Sequence, residues 1–220
     1  ASASSWLDKV LEYPDSKFST EAMGMSADIA YKGKDYPKAL GLYKRMADRA
    51  LSQEERLQAE TGALRSAWMA NDQTEIVTTA SALLAQSKLA PELENEARYY
   101  RAKALLATGK ATEALADLTV LAKDTRNVYG AEAKYLVAQI YFDAGETEKA
   151  EKEVLAYIEV STPHAYWLAR SFVLLSDVYV KLDRKLDAKQ YLLSLQQNYH
   201  ADDDIEQMIE TRLAKLNSVN

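Results

Sequence analysis

Ala39, Ile76, Ala114, Ala150 and Ala188 keep step along this chain, at intervals of 37, 38, 36 and 38 residues. Each stands early in the second of two amphipathic segments, and a short break joins the two. Independent helices do not hold one register over four intervals. A helix-turn-helix unit recurring at this length restricts the chain to a stacked α-solenoid, in which each unit buries its apolar face only against its neighbours.

The clearest unit is Ala131 to Pro163, AEAKYLVAQIYFDAGETEKAEKEVLAYIEVSTP. It reads as helix from Ala131 to Ala144, a left-handed stop at Gly145, and helix from Thr147 to Val160. Thr162-Pro163 then reads as an N-cap followed by proline at the first position of the next helix. The same grammar runs through the rest of the chain. Gly33-Lys34-Asp35, Asn71-Asp72, Gly109 and Asp183-Arg184 mark the other breaks within units. Pro37 falls in a first helical turn, and Ser52-Gln53-Glu54-Glu55 reads as a capping box. Ile205 to Leu216 reads as a final amphipathic helix, with three aspartates just before it to suit its dipole. Only 7 Gly and 4 Pro occur, too few for a fold built on tight β-turns.

Against the pattern W-x2-L-G-x2-Y, A-x3-F, P, the clearest unit supplies Lys134, Val137, Ala138 and Tyr141, then Ala150 and Val154, then Pro163. The next supplies Phe172, Leu175, Ser176 and Tyr179, then Ala188 and Leu192. The earlier units keep Met23, Ala27, Ala39 and Tyr43, then Leu64, Ala67 and Ile76, then Ala102, Leu105, Gly109, Ala114 and Leu118. In this the chain resembles the tetratricopeptide repeat (TPR) proteins over about Ser19 to Tyr199. The period exceeds the usual length of about 34 residues. HEAT-type repeats are the second choice, but their first-helix proline is missing.

The resemblance implies an all-α fold: a right-handed α-α superhelix of about five helix-turn-helix units plus terminal helices. As one domain it divides into repeats at 19–51, 52–90, 91–126, 127–162 and 163–200. Residues 1–18 read as the second helix of a truncated preceding repeat, and 201–220 as a capping helix. The phrase Leu11-Glu12-Tyr13-Pro14-Asp15-Ser16-Lys17-Phe18 is similar to the inter-repeat turn of bacterial cell-envelope TPR proteins. That likeness favours the periplasm or the outer membrane over the cytoplasm.

Carried over residue by residue, the family's inner face falls on Asp28, Tyr31, Arg65, Trp68, Tyr99, Lys103, Leu106, Tyr135, Gln139, Phe142, Arg170 and Asp177. The residues expected to bind a protein or peptide are Tyr31, Arg65, Trp68, Tyr99, Lys103, Tyr135, Gln139, Phe142 and Arg170. Aromatics give contact area at low entropy cost, and the polar groups pair with a peptide backbone or carboxylates. Trp68 is the leading candidate. The bland alternative for each aromatic is packing between neighbouring helices. Gly24 and Asp28 stand where the family's carboxylate clamp would begin, which argues against that subtype.

Other chemistry is poorly represented. The net charge of −6 argues against a nucleic-acid partner. There is no cysteine, and the two histidines, His164 and His200, are not at ligand spacing. No catalytic, metal or cofactor residues are expected. The N-terminal ASASSWLDKVLEYP lacks the basic and apolar regions of a signal peptide, and no apolar run is long enough to span a membrane. The expectation is a non-enzymatic scaffold that binds a protein or extended peptide on its concave face. The alternative is a structural module that self-associates through its N-terminal half-repeat.

Overall fold

The computed structural model describes residues 6, 7, 9, 10, 12, 13 and 18–218. Among the described residues there is no strand; residues 6, 7, 9 and 10 are helical, and residues 19–217 hold eleven further helices. They are α1 (Ser19–Lys32), α2 (Tyr36–Arg49), α3 (Gln53–Met69), α4 (Gln73–Leu84), α5 (Pro91–Ala107), α6 (Ala111–Leu121), α7 (Val128–Asp143), α8 (Thr147–Ile158), α9 (Ala165–Lys181), α10 (Lys185–Asn198) and α11 (Ile205–Asn217). They form two compact units, Ala1–Lys110 and Ala111–Asn220. In the first, α1 to α5 pack each on the next, and α1 also meets α3. In the second, α6 to α11 do the same, and α9 also meets α7 and α11.

One turn recurs through both units. Helices α1, α3, α5, α7 and α9 each end in a residue with positive φ: Lys34, Asn71, Gly109, Gly145 and Asp183. The N–H of that residue donates three residues back, as from Gly145 to Phe142 O. The next N–H donates five residues back, as from Asp35 to Ala30 O at 2.8 Å and from Arg184 to Tyr179 O at 2.7 Å. This is a Schellman motif, and it satisfies carbonyls that the helix end would otherwise leave orphaned. Each of these residues precedes one of Ala39, Ile76, Ala114, Ala150 and Ala188 by five positions, so turn and core share one register. All five of the latter are buried. So are Tyr43, Ala80, Leu118, Val154 and Leu192 one helical turn on. A single apolar stripe thus locks each second helix against its first.

Several local expectations shift. At the break Gly33-Lys34-Asp35 the positive φ falls on Lys34, and Gly33 itself has φ −75°. Helix α7 begins at Val128, before Ala131, because Asn127 Oδ1 accepts the Tyr129 N–H at 2.8 Å. Helix α9 begins at Ala165, after Pro163. Thr162 is spent on a loop instead: its hydroxyl donates to Thr125 O at 2.8 Å and accepts from His164 N at 3.2 Å. Ser52 caps α3 as expected, but Glu55 reaches back to the Leu51 N–H at 2.9 Å, one residue beyond a capping box. On α11, Ile205 and Ile209 are buried, and Met208, Leu213 and Leu216 pack against the same cluster. The phrase Leu11 to Phe18 lies mostly outside the described residues, and with it the expected turn at Pro14.

Candidate functional site

The first unit contains a cleft of about 540 Å³ between its first helices. Its floor starts at Gly62, halfway along α3. The Tyr43 ring of α2 lies across this glycine, where any Cβ would stand 2.5 Å from the ring edge. From there the Tyr43 hydroxyl donates to Asp28 Oδ1 on α1. Burial first, then this bond and the Asp28 charge, raise the Tyr43 pKa well above the ordinary tyrosine value, so the phenol keeps its proton and donates at neutral pH. One turn along α1, Tyr31 lines the cleft and meets the Tyr36 ring edge-on at 5.4 Å. Leu57, Gln58 and Thr61 of α3 and Leu93 of α5 complete the walls. The Thr61 hydroxyl is turned back onto Leu57 O at 2.7 Å. Arg65 closes one end through two parallel bonds to Glu96 of α5, both 2.8 Å. The Glu96 bond is the main cause raising the Arg65 pKa, and the guanidinium side chain is 50% exposed. In so open a setting the pair adds little stability, but it fixes the direction of the fork.

Near the end of α3, Trp68 lies face to face with Tyr100 of α5, at 4.0 Å and 6° between planes. Tyr99 tilts against both rings at 6.2 Å, and Lys103 Nζ stands 5.8 Å from the Tyr99 ring centre. Trp68 packs partly against the first unit's core. It therefore has one face covered, and Tyr100 is what covers it. Sequence reading assigns Tyr100 no role. The doublet Tyr99-Tyr100 is the available signal: adjacent helical residues lie about 100° apart, so one ring can face the groove while its neighbour faces the preceding helix.

In the second unit, the expected residues bind one another. Tyr135 is buried, and its hydroxyl donates to Gln139 Oε1 at 2.9 Å. Gln139 Nε2 donates to Asp143 Oδ1 at 2.8 Å. Arg170 donates to the hydroxyls of Tyr135 and Tyr166, at 3.1 and 3.2 Å, and to Asp204 Oδ2 at 3.2 Å. Its guanidinium carbon stands 5.1 Å from the Tyr135 ring centre. Phe142 packs on the core cluster that contains Tyr135 and Val178. Asp177, on the same face, is held by a fork from Arg212 at 2.8 and 2.7 Å. Structure thus brings Tyr31 and Arg65 to an open cleft, groups Trp68, Tyr99 and Lys103 beside Tyr100, and ties Tyr135, Gln139 and Arg170 into one internal network.

Neither histidine lies among metal-ligating partners, and among the described residues no cluster of three His, Asp or Glu side chains is arranged to hold a metal. His164 Nε2 sits 2.9 Å from Arg126 O. No helix among the described residues is long and apolar enough to cross a membrane.

Tandem helical hairpins with a shared Schellman turn and a small-residue register are the fold of a TPR protein, and solved structures agree. YrrB, a TPR protein with an unusual peptide-binding site, superposes with a TM-score of 0.63 at 16% identity, over 97% of this chain and 100% of its own. The TPR-like repeats of a Podosopora anserina putative kinesin light chain superpose with a TM-score of 0.53 at 15% identity, over 91% and 98%. A variant of those repeats gives 0.56 at 15%, over 83% and 96%. No protein-family model and no curated protein matches the sequence.

Proposed function

We propose that the chain is a non-enzymatic interaction scaffold whose first unit binds an extended peptide segment of a partner protein. The observation that carries this reading is the cleft of about 540 Å³ along α1, α3 and α5. It is open to solvent and offers an aromatic side, Tyr31, with Gln58 and Arg65 projecting from rigid helices. Rigid walls lower the entropy cost of binding, and long polar side chains pair with a peptide backbone. The binding site described for YrrB belongs to a protein of the same fold and supports the same use here. Of the nine expected residues, Tyr31 and Arg65 make direct contact, and Trp68, Tyr99 and Lys103 extend the surface. Tyr135, Gln139 and Arg170 serve to hold α7, α9 and the start of α11 together, and Phe142 packs on the core of the second unit.

The test is selection of displayed random peptides on the whole chain, followed by titration of the best binder. Tyr31→Ala and Arg65→Ala each weaken it about tenfold, as expected for an aromatic or arginine anchor. Gln139→Ala, in the second unit, does not. Equal affinity in all three variants overturns the reading.

The turn phrase Leu11 to Phe18 extends the proposal to a bacterial cell-envelope assembly. Fractionation of the native cells tests this, and recovery of the protein only in the cytosol defeats it. A second reading, self-association, is favoured by the exposed stripe Phe18, Met25 and Ile29 along α1. Sedimentation across a range of concentrations decides it, since a strict monomer rules it out.

A further inference from the structure

We infer that the segment taken by the first-unit cleft is basic, and that a lysine or arginine of the partner seats between the Tyr31 ring and the Asp28 carboxylate. The inference rests on the cleft being a peptide site and specifies what that site selects. Its ground is the distribution of charge along the cleft. Among the described residues the one cation lining it, Arg65, has its charge offset by Glu96, which takes its Nε and one terminal nitrogen and leaves the other for a peptide carbonyl. The carboxylates are differently placed. Asp28 accepts only the neutral Tyr43 hydroxyl through Oδ1, and no cation pairs with it or with Glu54 among the described residues.

The cleft also continues. A second hollow of about 330 Å³ shares Asp28 and Gln58 with it and adds Glu21 and Glu55. Glu55 is engaged by the Leu51 N–H, and no cation pairs with Glu21 among the described residues. Among the described residues, three carboxylates with no paired cation, Glu21, Asp28 and Glu54, therefore line two hollows that meet at Asp28 and Gln58 and together form the channel between α1 and α3. This excess is local, because the first unit carries as many acidic as basic residues overall.

The channel also suits a cation through more than charge. An ammonium or guanidinium group over the Tyr31 face gains a cation–π contact while it pairs with Asp28. An acidic segment meets repulsion at every one of these positions.

The experiment uses the whole chain and a display library of random decapeptides, selected at low and at high salt. The expected result is enrichment of lysine and arginine among binders, with affinity falling as salt rises. Against the best basic peptide, Asp28→Asn weakens binding about tenfold, the scale of one lost charged anchor. Asparagine keeps an acceptor for Tyr43, and urea unfolding checks that the fold is intact. Glu148→Gln, an exposed residue of α8, removes the same charge and leaves affinity unchanged. If Tyr31- and Arg65-dependent binders carry no basic bias, or if Asp28→Asn binds them equally well, the inference is overturned and the cleft remains a peptide site. If no selected peptide depends on Tyr31 or Arg65, the cleft reading falls with it.

Discussion

Tyr43 and Gly62 are complementary: the tyrosine ring occupies the volume that a Cβ on residue 62 would need, at 2.5 to 2.7 Å from three of its atoms. Two effects then compete in Gly62→Ala. Replacing a glycine inside a helix gains about 0.5–1 kcal/mol. Displacing a packed aromatic ring costs about 1–3 kcal/mol, and the Tyr43–Asp28 bond goes with it. The clash wins. Gly62→Ala lowers stability by about 1–2 kcal/mol in urea unfolding, and it deforms the cleft enough to weaken peptide binding.

Gly130 and Gly41 bracket that result. A Cβ on Gly130 would stand 2.6 Å from Leu121 O and closer still to Asp124 O, both backbone atoms that cannot rotate away. Gly130→Ala therefore forces the start of α7 off the end of α6, at a cost of about 3 kcal/mol or more. At exposed Gly41, within α2, nothing lies within 4 Å of the added carbon. Gly41→Ala raises stability by about 0.5–1 kcal/mol. Chemical denaturation of the two variants should give opposite signs.

The five Schellman turns make a graded series. Lys34 holds φ 62° with a full side chain, whereas Gly145 holds φ 78° without one. Left-handed backbone costs a non-glycine residue about 1 kcal/mol. Lys34→Gly should raise the melting temperature, and Gly145→Ala should lower it by a similar free energy. Asn71→Gly should change little, since asparagine tolerates this region.

Alkaline pH should loosen both units through their tyrosines. In the unfolded chain Tyr43 and Tyr199 lose their protons near the ordinary value of about 10. In the fold, burial and then Asp28 hold the Tyr43 proton to higher pH. Burial and then Asp203, bonded at 2.6 Å, raise Tyr199 to about 12. Because the folded values are raised, this contribution is complete below about pH 10 and is lost as pH rises past it. Unfolding by urea should show stability falling between pH 10 and 12. Tyr43→Phe and Tyr199→Phe should flatten that fall while lowering stability at neutral pH.

The hairpin register is written locally. Alanines at 39, 114, 150 and 188, with Ile76 between them, are a local requirement of closely approaching helices, and breaks such as Gly109 and Gly145 are local backbone chemistry. Both are carried by residue type and spacing, so the TPR fold is legible before any contact is known. The inner-face residues are legible only as positions. Whether a side chain at such a position is open or spent depends on what a residue some 31 to 35 places away does with it, as Glu96 does with Arg65 and Tyr135 with Arg170. Periodicity says which face a residue occupies, and pairing across helices lies outside it. Packing between helices was therefore needed to show that Tyr135 and Arg170 satisfy each other. It also laid Tyr100 over Trp68, and Tyr43 and Gly62 beneath an open cleft bordered by carboxylates.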